Sequence, residues 1–154
     1  MTPPTERALN VYSALEVETG VASASPQRLV IMLYDGALKA TFAAKAAILR
    51  GDTASKGAAV SKAISIIDEG LRASLDPEAG GEIAANLASL YDYIANRLLY
   101  ANLKNDQGSL DECARLLSEL RGAWEELEQR SRPVEPVVPI APPEARAPVS
   151  FGKV

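Results

Sequence analysis

The chain has 154 residues, enough for one domain, and its 16 basic and 20 acidic side chains give a formal net charge of −4 that argues against nucleic acid as a partner. Histidine is absent, which excludes histidine-based catalytic triads and zinc sites with histidine ligands. One cysteine permits no internal disulfide and no apolar run reaches the roughly 18 residues of a membrane span, so we expect a cytoplasmic protein without membrane insertion.

The N-terminal segment, residues 1–24, is predicted to form a small unit of its own. Its start carries prolines and an acidic residue instead of basic residues followed by an apolar run, so it does not read as a secretory signal. Leu9, Tyr12 and Leu15 have the spacing of one face of a short helix. Because so short a helix is marginal in water, we expect it either to dock on the rest of the chain or to detach from it.

The first long helix is predicted from Ser25 to about Arg50. Ser25 as N-cap and Pro26 at the first helical position form a strong start signal, and Gly51 supplies a stop. Two apolar stripes follow helical spacing, one made of Val30, Leu33, Ala37, Thr41, Ala44 and Ile48, the other of Ile31, Leu38, Phe42 and Leu49. A helix that is apolar on two sides is either central in its bundle or covered on one side by another segment.

Two more helices are predicted at residues 52–73 and 82–104, joined by a linker at 75–81 that is rich in turn residues. The face of the second helix consists of Val60, Ile64, Ile67 and Leu71. The face of the third consists of Ile83, Leu87, Leu90, Tyr91, Ile94 and Leu98.

The fourth helix is predicted to begin at a capping box formed by Ser109 and Glu112 and to run to about Arg130. Its apolar face consists of Cys113, Leu117, Leu120, Trp124 and Leu127. Six of the ten prolines of the chain lie in residues 131–154. That composition predicts an extended, disordered tail with local polyproline character.

These elements predict an all-α fold, an antiparallel up-down four-helix bundle over residues 25–130. A capping segment of residues 1–24, with a short helix at about residues 8–18, precedes it, and the disordered proline-rich tail of residues 131–154 follows it. Short connections favour antiparallel neighbours, and the apolar residues follow helical spacing instead of strand alternation.

Few side chains suit catalysis. Glu125, Glu126 and Glu128 form an acidic cluster, which is more typical of a solvated helix face than of an acid–base pair. Cys113 lies on an apolar stripe, where a small buried side chain is more common than a nucleophile, and no histidine is present to activate it. We expect no enzymatic activity, no metal and no cofactor.

Paired aliphatic and aromatic residues suit protein binding better. Leu33 with Tyr34 and Leu90 with Tyr91 place a leucine beside a tyrosine on two different helices. Tyrosine combines a rigid apolar body with one polar end, as interface anchors do. Spacing alone favours the other reading, in which both tyrosines are core residues with satisfied hydroxyls.

One string of residues is specific to a family. The stretch VASASPQRLVIMLYDGAL at residues 21–38 strongly resembles the signature of the flagellar export chaperone family FliS. The resemblance extends from Tyr12 through GGEIAANL at 80–87 and LYDYI at 90–94 to the Leu-x-x-Leu-Arg-x-x-Trp pattern that ends at Trp124. It covers about residues 9–128 and excludes the tail.

The resemblance implies a cytoplasmic, non-enzymatic chaperone that binds the C-terminal segment of new flagellin in hydrophobic grooves. The chaperone holds flagellin unpolymerised until the export apparatus takes it, and its own N-terminal segment can occupy part of the groove. The partner-binding candidates carried over are Tyr12, Ser25, Pro26, Leu29, Leu33, Tyr34, Leu90, Tyr91, Ile94 and Leu98. Ser25 and Pro26 are expected to fix the helix start more than to touch the partner.

Two alternatives stay open. The chain could be a dimeric helical-bundle scaffold or adaptor with another partner, in which the second stripe of the first helix packs against its own copy. It could also be a small enzyme or metal protein, although the residues that such a site needs are scarce.

Overall fold

The computed structural model of the chain describes residues 25–131. Four helices form within this range: α1 at Pro26–Leu49, α2 at Thr53–Ser65 with a π-helical continuation at Ile66–Arg72, α3 at Pro77–Lys104 and α4 at Gln107–Ser131. No residue in 25–131 lies in a β-strand, and the predicted all-α fold is confirmed. The N-terminal segment and the tail after Ser131 lie outside the described residues, so the predicted domain boundaries stay predictions.

Side-chain caps begin three of the helices. Ser25 has extended backbone angles, and its hydroxyl accepts a hydrogen bond from the Arg28 N–H at 3.1 Å. Asp52 accepts one from the Ser55 N–H, and Asp76 accepts from the N–H groups of the first turn of α3. Each cap satisfies donors that have no partner within the helix. The predicted start of α1 is therefore confirmed.

The second helix departs from the expected regular helix over its last seven residues. Ile66–Arg72 adopts π-helical geometry, in which each turn is wider than an α-turn. Ile66, Ile67, Gly70 and Leu71 are all buried. Over so few residues, the apolar pattern suits an α-turn and a π-turn equally well, and for that reason spacing did not reveal the change.

The third helix is interrupted at Gly81, a residue predicted to lie in the preceding linker. Asp76 and Pro77 already start a helical turn, and Gly81 interrupts it with φ 53° and ψ −126°. This left-handed φ favours glycine because a side chain would be strained there. The long regular part of α3 therefore begins after Gly81, close to the expected start at residue 82.

The fourth helix begins at Gln107, two residues before the predicted capping box. Instead of capping α4, the Ser109 hydroxyl donates to Asp106 and accepts from Arg97 of α3. The Glu112 carboxylate also accepts from Arg97, at 3.0 Å. The two residues of the expected box thus join α4 to α3.

Ion pairs define how α1 lies against α4. Arg28 pairs with Glu128, Asp35 with Arg121 and Lys45 with Asp111, at 2.6, 2.5 and 2.8 Å. Each advance along α1 is matched by an equal retreat along α4, so the two helices are antiparallel and keep one register. Both α1 and α3 pack on α2 and on α4, which places α1 and α3 diagonally across the bundle. The predicted up-down arrangement is confirmed.

One apolar core fills the space between the four helices. Its fully buried large side chains come from every helix: Leu33, Tyr34, Ile67, Leu71, Tyr91, Ile94, Leu98, Leu110 and Leu117. Alanines on α1 and α3 let neighbouring backbones approach closely between them.

Candidate partner-binding surface

The single thiol is held in the core. Cys113 is fully buried, and its Sγ donates weakly to the carbonyl oxygen of Ile94 at 3.6 Å. Burial raises the pKa of the Cys113 thiol to about 12. Because the nucleophilic form of cysteine is the thiolate, a thiol that keeps its proton is a packing residue.

Each carboxylate of the acidic cluster late in α4 pairs with a different arginine. Glu125 and Glu126 each pair with an arginine one turn away on α4. Glu128 pairs with Arg28 of α1 through two hydrogen bonds, at 2.6 and 3.2 Å. Among residues 25–131, no three His, Cys, Asp or Glu side chains come together in a way that could hold a metal ion.

Tyr34 and Tyr91 form a hydrogen-bonded pair inside the bundle. Their hydroxyl oxygens are 2.5 Å apart, and their ring centroids are 6.4 Å apart with the planes tilted by 54°. Burial raises the pKa of both phenols, and for Tyr34 the neighbouring Tyr91 raises it further. The pair thus satisfies two polar groups in the core, as the packing interpretation of these tyrosines requires.

The ten partner-binding candidates fall into four groups. Tyr12 lies outside the described residues. Ser25 and Pro26 are exposed at the start of α1, and Leu29 and Leu90 are half-buried against the core. The remaining five are buried in the core: Leu33, Tyr34, Tyr91, Ile94 and Leu98. The buried five can support a binding surface from beneath, and a partner reaches them only if the bundle opens. All ten stay predictions as contacts.

An apolar groove lies at one end of the bundle, and we call it the terminal groove. The start of α1, the α2–α3 linker, the start of α3 and the end of α4 enclose a space of about 330 Å³. Its apolar lining comes from Val30, Leu75, Ile83, Leu87, Tyr91 and Trp124. Ile83 is 70% exposed although it belongs to the predicted core face of α3, because it lies two residues beyond the break at Gly81.

A second, more polar cavity adjoins the terminal groove. It measures about 810 Å³ and lies between the π-helical segment and α3, with Leu75 and Ala84 on the boundary that both spaces share. Arg72 and Asp92 form an ion pair at its wall. The start of α3 is therefore flanked by an apolar space on one side and a charged one on the other.

Two outer faces of the bundle also expose large apolar side chains. On α1, Phe42 is 55% and Leu49 is 68% exposed, so the second stripe of this helix is covered near Ile31 and Leu38 and open at its far end. On α3, the exposed set consists of Tyr93, Leu99, Tyr100 and Leu103. Since α1 and α3 run in the same direction, both open faces lie at the end of the bundle opposite the terminal groove.

Polar contacts fix the tyrosines of the α3 outer face. The Tyr93 hydroxyl donates to Glu112 at 2.5 Å, which lowers the pKa of that carboxyl and raises that of the phenol. The Arg97 guanidinium lies 5.0 Å from the centre of the Tyr100 ring, within cation–π range. The face thus presents oriented rings beside Leu103, which is 71% exposed. None of these side chains was predicted to bind a partner, although apolar residues off the core stripe of α3 were a usable signal.

Comparison with known proteins assigns this bundle to a family. The family described as "Flagellar protein FliS" matches residues 8–131. The chain belongs to the FliS family. A relative in Salmonella typhimurium, named flagellar secretion chaperone FliS, is 47% identical over 127 residues, which cover 82% of this chain and 94% of the relative.

More distant members of the FliS family extend the comparison. Relatives of the same name are 42% identical in Escherichia coli and 37% identical in Bacillus subtilis. They are matched over 88% and 90% of their own lengths and over 78% and 80% of this chain. The family match includes the four helices and all ten candidate residues, and it stops at Ser131. The proline-rich tail lies beyond it.

No helix within residues 25–131 is long and apolar enough to cross a membrane.

Proposed function

We propose that this chain is a cytoplasmic, non-enzymatic chaperone that binds the C-terminal segment of flagellin, prevents its premature polymerisation and keeps it competent for export. Membership of the FliS family carries this proposal. The apolar surface that the four helices leave uncovered supports it, because a chaperone for an apolar helical segment needs such a surface. The export apparatus is the proposed recipient of the complex.

The spacing of the exposed residues fits a helical client. Leu99 and Leu103 are one turn apart on α3, and Phe42 and Leu49 are two turns apart on α1. Recognition of an amphipathic helix uses apolar contacts at these intervals. Open faces on diagonal helices and a groove at the other end of the bundle suit a long segment that crosses several patches.

The energetics require contacts over an extended surface. Ordering a segment that is disordered when free costs about 2–5 kcal/mol of the gross interaction energy. At about 25 cal/mol per Å² of buried apolar area, about 200 Å² offsets the upper figure. One exposed leucine cannot supply that area, whereas the α3 outer face with a second patch can. Binding that uses several patches is therefore expected to weaken, not vanish, when one is altered.

The candidate residues predicted from the sequence are proposed to have different roles in binding the client. Leu29 and Leu90 are the half-buried members that a client can touch at the surface. Ser25 caps α1 and Pro26 holds its first turn, so they act by fixing the helix start. Tyr12 belongs to the N-terminal segment that we propose as a removable cap of the client surface. A homodimer that buries the same apolar faces is the competing arrangement.

Binding of a fluorescently labelled flagellin C-terminal segment, followed by anisotropy, tests the proposal. Leu103→Asp places a charge on the α3 outer face, and it must lose hydration without a partner when a client docks, so weaker binding is expected. Ser118→Asp adds the same charge at an exposed position of α4 and is the matched control. Equal, undiminished binding by both variants would exclude this face. Concentration-dependent dimers and no binding by the unaltered chain would favour the scaffold alternative.

A further inference from the structure

We propose that the terminal groove is a docking site for the proline-rich tail of the same chain, residues 132–154. The inference depends on the groove and on the tail sequence, not on the proposed function. The family match stops at Ser131, so the tail is a feature of this chain outside the FliS pattern.

Four of the six prolines of the tail recur with a period of three. Pro133, Pro136, Pro139 and Pro142 are each three residues apart. A polyproline II helix has three residues per turn, so these four side chains would form one edge of such a helix. Val134, Val137 and Ile140 would form the adjacent edge, and the third edge would carry Glu135, Val138, Ala141 and Glu144. The tail thus encodes an apolar side and a more polar side.

The terminal groove has the chemistry that such a segment prefers. Grooves that bind polyproline segments are lined by aromatic side chains, and the described part of the groove contains the half-buried Trp124 together with Tyr91, which is only 1% exposed. Each proline removes one backbone N–H, so a Pro-x-x-Pro unit has fewer polar groups to desolvate against an apolar lining than an ordinary segment of the same length.

The dimensions also agree. From Ile83 to Tyr91, the α3 wall of the groove extends about 12 Å at 1.5 Å per residue. One Pro-x-x-Pro unit extends about 9 Å at 3.1 Å per residue. The groove can therefore accept a single such unit of the tail with its flanking residue.

The tail begins beside the groove. Trp124 precedes the end of α4 at Ser131 by two turns, about 10 Å along the helix axis. The five residues 132–136 can span about 16 Å when extended, so the second proline of the run can return to Trp124. Tethering at this range gives an effective concentration on the order of millimolar. A contact with a dissociation constant of about 1 mM would then be about half populated.

The fluorescence of Trp124 reports docking directly, because it is the only tryptophan of the chain. In the full-length chain, Pro136→Gly with Pro139→Gly interrupts the run of four prolines. We expect emission at longer wavelength and, from a half-docked state, an acrylamide quenching constant up to about two-fold higher. Pro143→Gly with Pro148→Gly removes as many prolines outside the run and is expected to leave both readouts unchanged. Identical spectra and quenching for the three chains would overturn the proposal.

A distance measurement separates the tail from other occupants. A nitroxide attached at Ala141→Cys should broaden the indole N–H resonance of Trp124, while buried Cys113 stays unlabelled. Absence of broadening would contradict docking. The start of α1 at Pro26 lies near the groove, so the N-terminal segment is the competing occupant. If Tyr12→Ser exposes Trp124 to quencher and the proline variants do not, the occupant is that segment and the proposal is wrong.

Discussion

The phenol oxygens of Tyr34 and Tyr91 lie 2.5 Å apart and join α1 to α3, the two helices that stand diagonally across the bundle. Neighbouring helices are tied by ion pairs at the surface, whereas this diagonal pair is tied by one buried hydrogen bond. Burial raises the pKa of the Tyr34 phenol, and Trp124 of α4 acts against that rise. Tyr91 and Trp124 both line the terminal groove, so α3 and α4 meet there beside this pair.

The effects of removing the two hydroxyl groups of this pair on the free energy of unfolding should not add. Removing both should cost less than the sum of the two single removals. Tyr34→Phe leaves the Tyr91 hydroxyl buried without its partner, at a cost of about 1–3 kcal/mol in the free energy of unfolding. The double variant removes both polar groups, so its effect should be smaller than the sum of the two single effects. Urea denaturation of the four chains measures the cycle, and strictly additive effects would show that the hydroxyls do not interact.

A charge introduced at a buried candidate residue should destabilise the fold. A charge introduced at an exposed residue of the α3 outer face should leave the stability nearly unchanged. Leu33 is fully buried, so Leu33→Asp should abolish cooperative unfolding or lower stability by several kcal/mol. Leu103→Asp, on the exposed α3 outer face, should change stability by less than about 0.5 kcal/mol. Thermal unfolding monitored by circular dichroism compares them. A stable Leu33→Asp chain that has lost only client binding would place Leu33 in a client groove and contradict its assignment to the core.

The buried thiol predicts a pH dependence of stability. In the unfolded chain the Cys113 thiol ionises near its ordinary pKa of 9.0, whereas in the folded chain burial raises the pKa to about 12. Between these values the unfolded state binds fewer protons, so stability is lost as the pH rises. The intact chain should therefore lose stability faster from pH 8 to 10.5 than Cys113→Ala does. Parallel curves of unfolding free energy against pH would contradict the buried, protonated thiol.

The Arg28–Glu128 pair should contribute more than an exposed pair on one helix. It makes two hydrogen bonds, and Glu128 is largely covered. A double-mutant cycle with alanine should give a coupling energy of about 0.5–1 kcal/mol that falls with added salt. The exposed Arg115–Glu119 pair on α4 is the matched control and should give a smaller coupling, below about 0.5 kcal/mol. Equal coupling energies in both cycles would show that the burial of Glu128 does not strengthen its ion pair.

The number of helices, the start of α1 and most of the core faces could be predicted from the sequence, because each depends on local chemistry. Ser25 and Pro26 satisfy and shape the first turn of α1 wherever that turn lies. The spacing of Tyr91, Ile94 and Leu98 indicated one face of α3, and all three are buried. Local rules of this kind do not depend on which helices become neighbours.

The open surfaces could not be read in the same way. Ile83 and Phe42 have the spacing of core residues, yet both are exposed, because one follows the Gly81 break and the other lies where no neighbouring helix covers α1. The π-helical segment was also missed, since seven residues are too few for the period to distinguish it. The hydrogen bond between Tyr34 and Tyr91 could not be predicted, because it depends on α1 and α3 lying diagonally across the bundle.

Calorimetric titration of the full-length chain with the C-terminal segment of flagellin from the same organism tests the central claim most directly. Saturable one-to-one binding with a strongly negative heat-capacity change is the predicted result, because an apolar surface is buried as the client folds. A correctly folded chain that releases or absorbs no heat over several temperatures, and that does not retain the segment in gel filtration, would contradict the assignment as a flagellin chaperone.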